Sequence, residues 1–284
     1  MVEPTNEERS VGGAKRKTKA RIAILGGGNL GQALARGWTE AGVVAAADLH
    51  VVRRRPERLV ELATLGITTG ADNCSAAEAA ELIVIAVQPQ QIESLLREIA
   101  STLDPTRHRV VSVVSGVSIA VLSSHLTGVP LVRAMPNTAV AIRESMTCLS
   151  ALPAHASALA EARVLFEALG KTLEIEEEMM IPATALCACG VAFFLRAVRA
   201  ASQGGIEIGF HPDEAMLLAA QTARGAASLL LRAGSHPESE IDRVTTPRGC
   251  TIAGLNEMEH QGFSSALIKG ILLSAEKATG LYGG

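Results

Sequence analysis

The sequence predicts an α/β fold, in which a Rossmann-type, mostly parallel sheet is followed by an all-helical C-terminal dimerisation domain. Short apolar runs alternate with helical patterns over residues 21–175, which is typical of a parallel sheet wrapped by helices. One run, Leu82–Val87, is continuously apolar, as expected of a strand buried on both faces. From Glu176 onward the periodic segments are all helical.

The length of 284 residues fits two ordinary domains. We expect a disordered tail at residues 1–19, a Rossmann dinucleotide-binding domain at residues 20–177, and an all-helical dimerisation and substrate domain at residues 178–284. The tail is polar and lacks the apolar core of a secretory signal. The C-terminal helices are rich in Ala and Leu and must bury more than one face, which predicts a dimer interface.

Apolar runs, prolines at helix starts and glycines at helix ends predict the individual elements. The predicted strands are Arg21–Leu25, Leu49–Val52, Leu82–Val87, Val110–Val114, Leu131–Ala134, Met146–Ser150 and Thr172–Ile175. The predicted helices of the first domain are Asn29–Glu40, Pro56–Leu65, Gln91–Ala100, Ser118–His125 and Pro153–Leu169. The predicted helices of the second domain are Met180–Ala201, Pro212–Ala233, Pro237–Val244, Ile252–Gln261 and Phe263–Thr279.

Charge and cysteine content argue against several classes of function. The formal net charge is −3, and no basic stripe indicates a nucleic-acid interface. The five cysteines are irregularly spaced, so we expect no disulfide framework and a cytoplasmic location. Cys187 and Cys189 form a C-x-C pair, but no second Cys or His pair follows at zinc-ligand spacing. We therefore predict no metal site, with metal binding by this pair as a remote alternative.

Two uncharged segments are long enough to raise the question of a membrane span. Val110–Val132 is interrupted by Gly116, Gly128 and Pro130, which are typical of turns between short buried elements. Met179–Leu195 is shorter than the span of about 20 residues that a bilayer requires. We expect both segments to be buried core or subunit interface, and we expect no membrane partner.

A glycine-rich loop carries the strongest local signal in the sequence. Gly26-Gly27-Gly28-Asn29-Leu30-Gly31 matches G-x-G-x-x-G directly after the strand that ends at Leu25 and directly before a helix. The glycines allow a tight turn and allow a pyrophosphate to approach the helix N-terminus. We therefore expect Leu25 and the six loop residues to bind a dinucleotide cofactor.

The end of the second strand indicates which dinucleotide is bound. NAD enzymes usually place an acidic residue about 20 residues beyond the fingerprint, where it binds the ribose 2′-hydroxyl. This position instead holds Arg53, Arg54 and Arg55, and Asp48 lies too early in the strand to replace the acid. Because a guanidinium pairs with a 2′-phosphate, we predict NADP(H) as the cofactor, with NAD(H) as the alternative.

Three further segments end strands at the edge of the sheet where ligands bind in this fold. They are Ala86-Val87-Gln88-Pro89, Asn73, and the turn that contains Ser115. Each is a candidate for cofactor binding, and each is equally compatible with an ordinary turn. The sequence contains no H-E-x-x-H, G-x-S-x-G or P-loop motif. Hydride transfer requires none of these motifs, because the cofactor supplies the chemistry.

Four segments in addition to the glycine loop resemble the pyrroline-5-carboxylate reductase family. Val132-Arg133-Ala134-Met135-Pro136-Asn137-Thr138 is similar to V-R-x-M-P-N-T, and Ala86–Pro89 is similar to A-V-K-P. Gln221–Ala227 is similar to Q-T-x-x-G-A-A, and Thr245–Leu255 resembles the signature S-P-G-G-T-T-I-A-G-L. The matches run in family order over nearly the whole chain after residue 19, which makes them more specific together than any one motif.

The resemblance implies a reductase that transfers hydride to the C5 imine carbon of Δ1-pyrroline-5-carboxylate and forms L-proline. It implies a homodimer, with higher ring-shaped assembly in some members. It also implies that Gly249, Cys250 and Thr251 bind the carboxylate of the imine, and that the Thr251 hydroxyl acts in catalysis. Glu177 matches a family position near the substrate. The alternative is that Glu177 belongs to a solvated acidic run at residues 174–178.

Several residues depart from the family pattern. The family segment S-G-S-G-P-A-Y is Cys187-Ala188-Cys189-Gly190-Val191-Ala192-Phe193 in this chain. Arg248 and Cys250 replace small residues of the signature, and Arg243 stands where family members often carry Asn. These departures leave open a reductase of another cyclic imine, an enzyme that runs in the oxidative direction, or a non-catalytic NADP-binding protein.

Overall fold

The computed structural model describes Thr18 and residues 20–280, so the predicted tail lies outside the described residues apart from Thr18. The chain forms two compact units, one ending at Glu177 and the other beginning at Glu178. The first unit contains a single eight-stranded sheet with helices, and the described part of the second unit is helical. The predicted fold class is confirmed.

The sheet has the strand order β3-β2-β1-β4-β5-β6-β7-β8. Its strands are β1 (Ile22–Leu25), β2 (Leu49–Val52), β3 (Thr68–Gly70), β4 (Leu82–Ile85), β5 (Arg109–Ser112), β6 (Leu131–Met135), β7 (Ser145–Ala151) and β8 (Gly170–Glu174). The pairing of β6 with β7 is antiparallel, and every other pairing is parallel. Strands β2 and β3 are added on one side of β1, and β4 to β8 on the other. β1 and β4 therefore flank a topological switch point, the place at which α/β sheets bind ligands.

The helices of the first unit cover the sheet. They are α1 (Asn29–Glu40), α2 (Val60–Thr64), α3 (Asn73–Ala79), α4 (Ile92–Ile99), α5 (Ile119–His125) and α6 (Ala156–Glu167). The predicted helix at residues 56–65 begins with a 3₁₀ turn, Pro56–Leu59, before α2. The predicted strand Leu82–Val87 ends earlier, at Ile85, because Pro89 starts a 3₁₀ turn that leads into α4.

Strand β3 and helix α3 were not predicted from the sequence. β3 is a three-residue edge strand with the sequence Thr-Thr-Gly, which carries almost no apolar signal. The seven residues of α3 are mostly small, and its start is fixed by Asp72, whose carboxylate accepts a hydrogen bond from Ser75 N–H at 3.0 Å. Both elements are too short for a periodic pattern to reveal them.

Helix α1 is anchored in the core of the first unit by Trp38. This side chain is fully buried, and its indole N–H donates to Leu165 O at 2.9 Å. The ring of Phe166 meets it edge-on, with 5.8 Å between the ring centroids. The contact connects α1 to α6 and holds the start of α1 at a fixed place relative to the sheet.

The second unit consists of helices in its described residues. They are α7 (Met180–Ala183), α8 (Gly190–Glu207), α9 (Pro212–Ala233), α10 (Pro237–Val244), α11 (Cys250–His260) and α12 (Phe263–Thr279). A π-helical stretch, Thr184–Cys189, joins α7 to α8. The predicted helix Met180–Ala201 is therefore irregular at its start and extends six residues further than predicted. Helix α11 begins two residues before its predicted start.

Among the described residues, one helical stretch, Glu177–Glu207, is apolar enough and, at 31 residues, long enough to cross a membrane by length and composition alone. Met179–Leu195 alone is shorter than a membrane span, but the complete helical stretch that contains it is not. Only 22% of its most apolar part is buried inside the structure. Phe194 and Leu195 are exposed, as are Leu217, Leu231 and Leu272 on other helices of the unit. Many large apolar side chains exposed within one helical unit indicate an interaction surface.

A buried histidine in the first unit makes folding sensitive to pH. His108 precedes β5 and is 2% exposed, and its Nδ1 accepts a hydrogen bond from Asp104 N–H at 2.7 Å. Its Nε2 is buried without a hydrogen-bond partner among the described residues. Burial, assisted by the nearby Arg107 charge, lowers the pKa of His108 below its usual value. Burial also lowers the pKa of His50 on β2.

We expect the first unit to lose stability as the pH falls below about 6.5, because the unfolded histidines then bind protons that the folded ones do not. His108→Gln should reduce this pH dependence, and the exposed His260→Gln serves as the matched control. Urea midpoints at about pH 7.5 and about pH 5.5 measure the effect. Fluorescence of Trp38, the single tryptophan, reports the unfolding. A wild-type pH dependence in His108→Gln would show that other groups cause it.

Candidate functional site

The first unit has a cavity of about 880 Å³ at the carboxyl ends of β1, β2 and β4. This volume lies within the usual range for small-molecule and cofactor sites. The cavity is lined by Gly26, Gly27, Gly28, Val52, Arg53, Arg54, Arg55, Arg58, Ala71, Asn73, Ala86, Val87, Gln88, Gln90, Gln91, Ser94, Leu95 and Glu98.

The glycine loop forms one wall of the cavity and requires glycine at two positions. Gly26 has a φ of +116°, and a Cβ atom there would lie 2.4 Å from Ala86 O. A Cβ atom on Gly31 would lie 2.2 Å from Gly26 O. The backbone N–H groups of Gly26 and Gly27 both donate to Val52 O, at 3.1 and 2.7 Å. The loop is thus packed against the ends of β2 and β4 at distances that no side chain permits.

Helix α1 begins at the cavity with Gly28 as its N-cap residue and without a side-chain cap. The first N–H groups of a helix have no partners inside the helix and attract negative charge. The start of α1 beside the glycine loop is therefore a candidate anion site. This arrangement suits the pyrophosphate of a dinucleotide.

Four arginines from the end of β2 and the turn after it give the cavity a positive charge. Arg53 is half-buried, whereas Arg54, Arg55 and Arg58 are exposed. Arg53 Nη1 donates to Gly27 O at 3.1 Å. Arg58 was not identified from the sequence, although it lies only three residues beyond the triplet, in the short 3₁₀ turn.

The structure gathers most of the predicted cofactor-binding residues around this cavity. Asn73 lines it, and its Nδ2 lies 3.2 Å from both carboxylate oxygens of Glu98. Six predicted residues do not line the cavity: Leu25, Asn29, Leu30, Gly31, Pro89 and Ser115. Leu25 is fully buried, and the Ser115 hydroxyl lies 3.7 Å from Met135 Sδ. Most of the lining residues that were not predicted lie on α4 or directly before it. A helical pattern in the sequence does not indicate which of its residues face a ligand.

Glu177 makes specific contacts that the sequence did not indicate. Its Oε1 accepts a hydrogen bond from Ile119 N–H, at the start of α5, at 2.5 Å. The same oxygen lies 3.3 Å from Nη1 of Arg133, a β6 residue that is 4% exposed. Burial lowers the pKa of Arg133, and the Glu177 charge opposes that shift. Glu177 is therefore the counter-ion of a buried arginine rather than a residue of a fully solvated acidic run, and its contact with substrate stays a prediction.

The signature segment of the second unit forms a sharp turn into a helix. Arg248 adopts a left-handed conformation with a φ of +60°. Gly249 follows as the N-cap of α11, and a Cβ atom there would lie 2.5 Å from Thr246 Oγ1. Cys250 and Thr251 are the first residues of the helix, so their N–H groups belong to its unpaired first turn. The predicted role of this segment in substrate binding stays a prediction.

Two family models match parts of this chain. Residues 177–281 match the family model described as pyrroline-5-carboxylate reductase dimerisation. Residues 21–116 match the model described as NADP oxidoreductase, coenzyme F420-dependent. The two matches together cover the glycine loop, the cavity and the helical unit.

Curated relatives and solved structures point the same way. Pyrroline-5-carboxylate reductase 2 of Dictyostelium discoideum is 45% identical over 280 residues, covering 93% of each chain. Pyrroline-5-carboxylate reductase 1 of the same organism is 47% identical over 92% of this chain, but this chain spans only 50% of its length. The solved pyrroline-5-carboxylate reductase of Coxiella burnetii is 26% identical, with a TM-score of 0.85, over 94% of this chain and 100% of its own.

We expect two glycine substitutions in the loop to affect different properties, one the thermal stability and the other the binding of the dinucleotide. Gly31→Ala should lower the thermal midpoint, because the added methyl group would collide with Gly26 O. Gly28→Ala should leave the midpoint near the wild-type value, because nothing lies within 4 Å of the new methyl group. It should nevertheless weaken dinucleotide binding, since that methyl group lies at the cavity wall. Thermal unfolding and calorimetric titration with NADP⁺ measure the two effects, and strong NADP⁺ binding by Gly28→Ala would contradict this placement.

Proposed function

This chain belongs to the pyrroline-5-carboxylate reductase family, and we propose that it reduces Δ1-pyrroline-5-carboxylate to L-proline with NADPH. The observation that carries the proposal is the 45% identity to a curated pyrroline-5-carboxylate reductase over 93% of both chains. The enzyme is thus an oxidoreductase that acts on a CH–NH group in proline biosynthesis. The C5 carbon of the imine gains a hydride and the ring nitrogen gains a proton, so the C=N bond becomes CH–NH and NADPH becomes NADP⁺.

The cavity of the first unit fits NADPH by its shape and its charge. Gly26 and Gly31, where a Cβ atom would collide with backbone atoms, allow the tight turn and the close packing of α1, and Gly28 leaves open space in which a pyrophosphate can approach the backbone. The start of α1 supplies N–H groups to the phosphates, and the arginines supply positive charge to a 2′-phosphate. The bound nicotinamide supplies the hydride, and the protein residues bind it and orient it.

The substrate half of the proposal rests on the second unit. The turn Arg248–Gly249 opens α11, and Gly249 N–H donates to Thr246 O at 2.9 Å within this turn. The N–H groups of Cys250 and Thr251, in the first turn of α11, can therefore hold the carboxylate of the imine. The Thr251 hydroxyl adds one donor to the carboxylate or to a water near the imine nitrogen. The Glu177–Arg133 pair fixes the last residues of the first unit against β6 and α5.

The protein is a homo-oligomer, as the dimerisation model over residues 177–281 supports. The exposed apolar residues of the helical unit supply the surface for a homodimer. We extend the proposal to a higher ring-shaped assembly of dimers and to a cytoplasmic location. The irregular spacing of the five cysteines is not that of a disulfide framework, which agrees with a reducing compartment.

A specific observation favours a second candidate, the reduction of a different cyclic imine. The departures from the family pattern at residues 187–193 fall partly in the π-helical stretch Thr184–Cys189. Stretches of this kind are frequent at functional sites. Arg248, which replaces a small residue, adopts a strained conformation directly before the substrate-binding loop. Both changes would alter the shape of a substrate pocket.

The main test is the oxidation of NADPH by purified protein with Δ1-pyrroline-5-carboxylate and with a six-membered cyclic imine carboxylate. We expect a higher kcat/KM for the five-membered ring and a higher kcat/KM with NADPH than with NADH. Proline should be identified as the product by chromatography. A higher kcat/KM for the six-membered ring would favour the second candidate, and turnover of neither imine would refute a reductase of this class.

The role of Thr251 can be tested by removing its hydroxyl. Thr251→Ala should lower kcat/KM for the imine by about 10-fold to 100-fold, the usual effect of losing a hydrogen bond to a charged group. Thr251→Ser retains the hydroxyl and should remain within a few-fold of the wild type. Binding of NADP⁺ should be unchanged in both variants. An unchanged kcat/KM in Thr251→Ala would remove this residue from the site.

A further inference from the structure

The carbonyl group of Gly27 receives two side-chain hydrogen bonds. Gln32 Nε2, from the first turns of α1, donates to Gly27 O at 3.1 Å. Arg53 Nη1, from the end of β2, donates to the same oxygen at 3.1 Å. Both donors are contributed by residues outside the loop, so the loop carbonyl is held from two directions.

Holding this carbonyl also sets the direction of the next N–H group. A trans peptide is planar, and its C=O and N–H bonds point in opposite directions. Because Gly27 O faces Gln32 and Arg53, Gly28 N–H faces away from them. Gly28 lines the cavity, and no group among the described residues accepts a hydrogen bond from its N–H. This N–H is therefore free to bind a phosphate oxygen.

The neighbouring arginines differ from Arg53 in their surroundings. Arg54, Arg55 and Arg58 line the cavity and are exposed. Within the part of the chain that the structure describes, none of them makes an ion pair or a side-chain hydrogen bond. Arg53 is half-buried, and its Cβ lies 3.2 Å from where a Gly27 Cβ would be. One arginine is thus engaged by the loop, whereas three are available for a ligand.

We propose that Arg53 is a positioning residue, which acts with Gln32 to orient the Gly27–Gly28 peptide toward the pyrophosphate. The charge that selects a 2′-phosphate then comes from Arg54, Arg55 and Arg58. This inference rests on the proposed function for the identity of the dinucleotide. It changes the sequence prediction, in which Arg53 belongs to the set that distinguishes NADPH from NADH.

The two roles have different consequences for cofactor choice. The pyrophosphate is common to NADP⁺ and NAD⁺, so loss of the peptide orientation weakens both by the same factor. Only NADP⁺ carries the 2′-phosphate, so loss of a phosphate-binding arginine weakens NADP⁺ alone. The ratio of the two dissociation constants therefore separates positioning from selection.

Calorimetric titration of the full-length variants with NADP⁺ and with NAD⁺ tests the proposal. Arg53→Met keeps the aliphatic stem and removes the donor, and Gln32→Leu removes the other donor. Each variant should raise both Kd values by about 3-fold to 10-fold and leave their ratio unchanged. This is the effect expected when one hydrogen bond to a neutral carbonyl group is lost. Arg53→Lys should restore part of the affinity for both dinucleotides, because an ammonium group can donate to the same carbonyl.

Arg58→Gln should raise the Kd of NADP⁺ by about 10-fold and leave that of NAD⁺ unchanged, as expected for a charged hydrogen bond. Arg36→Met is the matched control for loss of an arginine. Arg36 pairs with Glu61 and does not line the cavity, so both Kd values should stay at wild-type levels.

The proposal is overturned if Arg53→Met weakens NADP⁺ binding several-fold more than NAD⁺ binding, as a phosphate ligand would. It is also overturned if Gln32→Leu leaves both Kd values unchanged. Circular dichroism establishes that each variant is folded, and Gln32→Leu provides the test if Arg53→Met is not. Wild-type protein that binds both dinucleotides but reduces no imine would refute the proposed function and leave this inference standing. Wild-type protein that binds neither would refute both.

Discussion

The close packing of the glycine loop between β2 and β4 is the constraint on which the cofactor site depends. Val52 O accepts hydrogen bonds from two N–H groups of the loop, and Gly26 lies directly against the backbone of Ala86. No Cβ atom fits at Gly26 or Gly31, so the chain can make this approach only with glycine there. The approach brings the start of α1, the arginines after β2 and the segment after β4 to one cavity.

Much of this arrangement could be predicted because it depends on local rules. The parallel strands are short apolar runs, and α1, α9, α10 and α12 have the bounds that their caps and periodicity predict. The glycine loop and the arginines follow β1 and β2 directly, so their place at the carboxyl edge of the sheet follows from chain order. Sequence patterns are reliable here because side chains close in the chain fix the local conformation.

The features that could not be predicted depend on contacts between residues distant in the chain. Glu177 and Arg133 are 44 residues apart, and neither pattern nor spacing reveals that they pair. The engagement of Arg53 with Gly27, across 26 residues, distinguishes it from the adjacent Arg54, although both are arginines at the end of the same strand. The π-helical stretch Thr184–Cys189 also has no local signal, because its composition is that of an ordinary buried helix.

In each unit, the helix at the proposed ligand site begins with glycine instead of a capping side chain. Helices α3 and α5 begin with Asp72 and Ser118, whose side chains accept hydrogen bonds from the helix N–H groups. Helices α1 and α11 instead begin with Gly28 and Gly249, which have no side chain to do this. A capping side chain satisfies one of the unpaired N–H groups of the first turn, whereas a glycine N-cap leaves that group open to an external acceptor. The proposed function uses one such start in each unit, α1 for the pyrophosphate and α11 for the substrate carboxylate. Helix α12 also begins with a glycine, Gly262, but its start carries no match to the family signature.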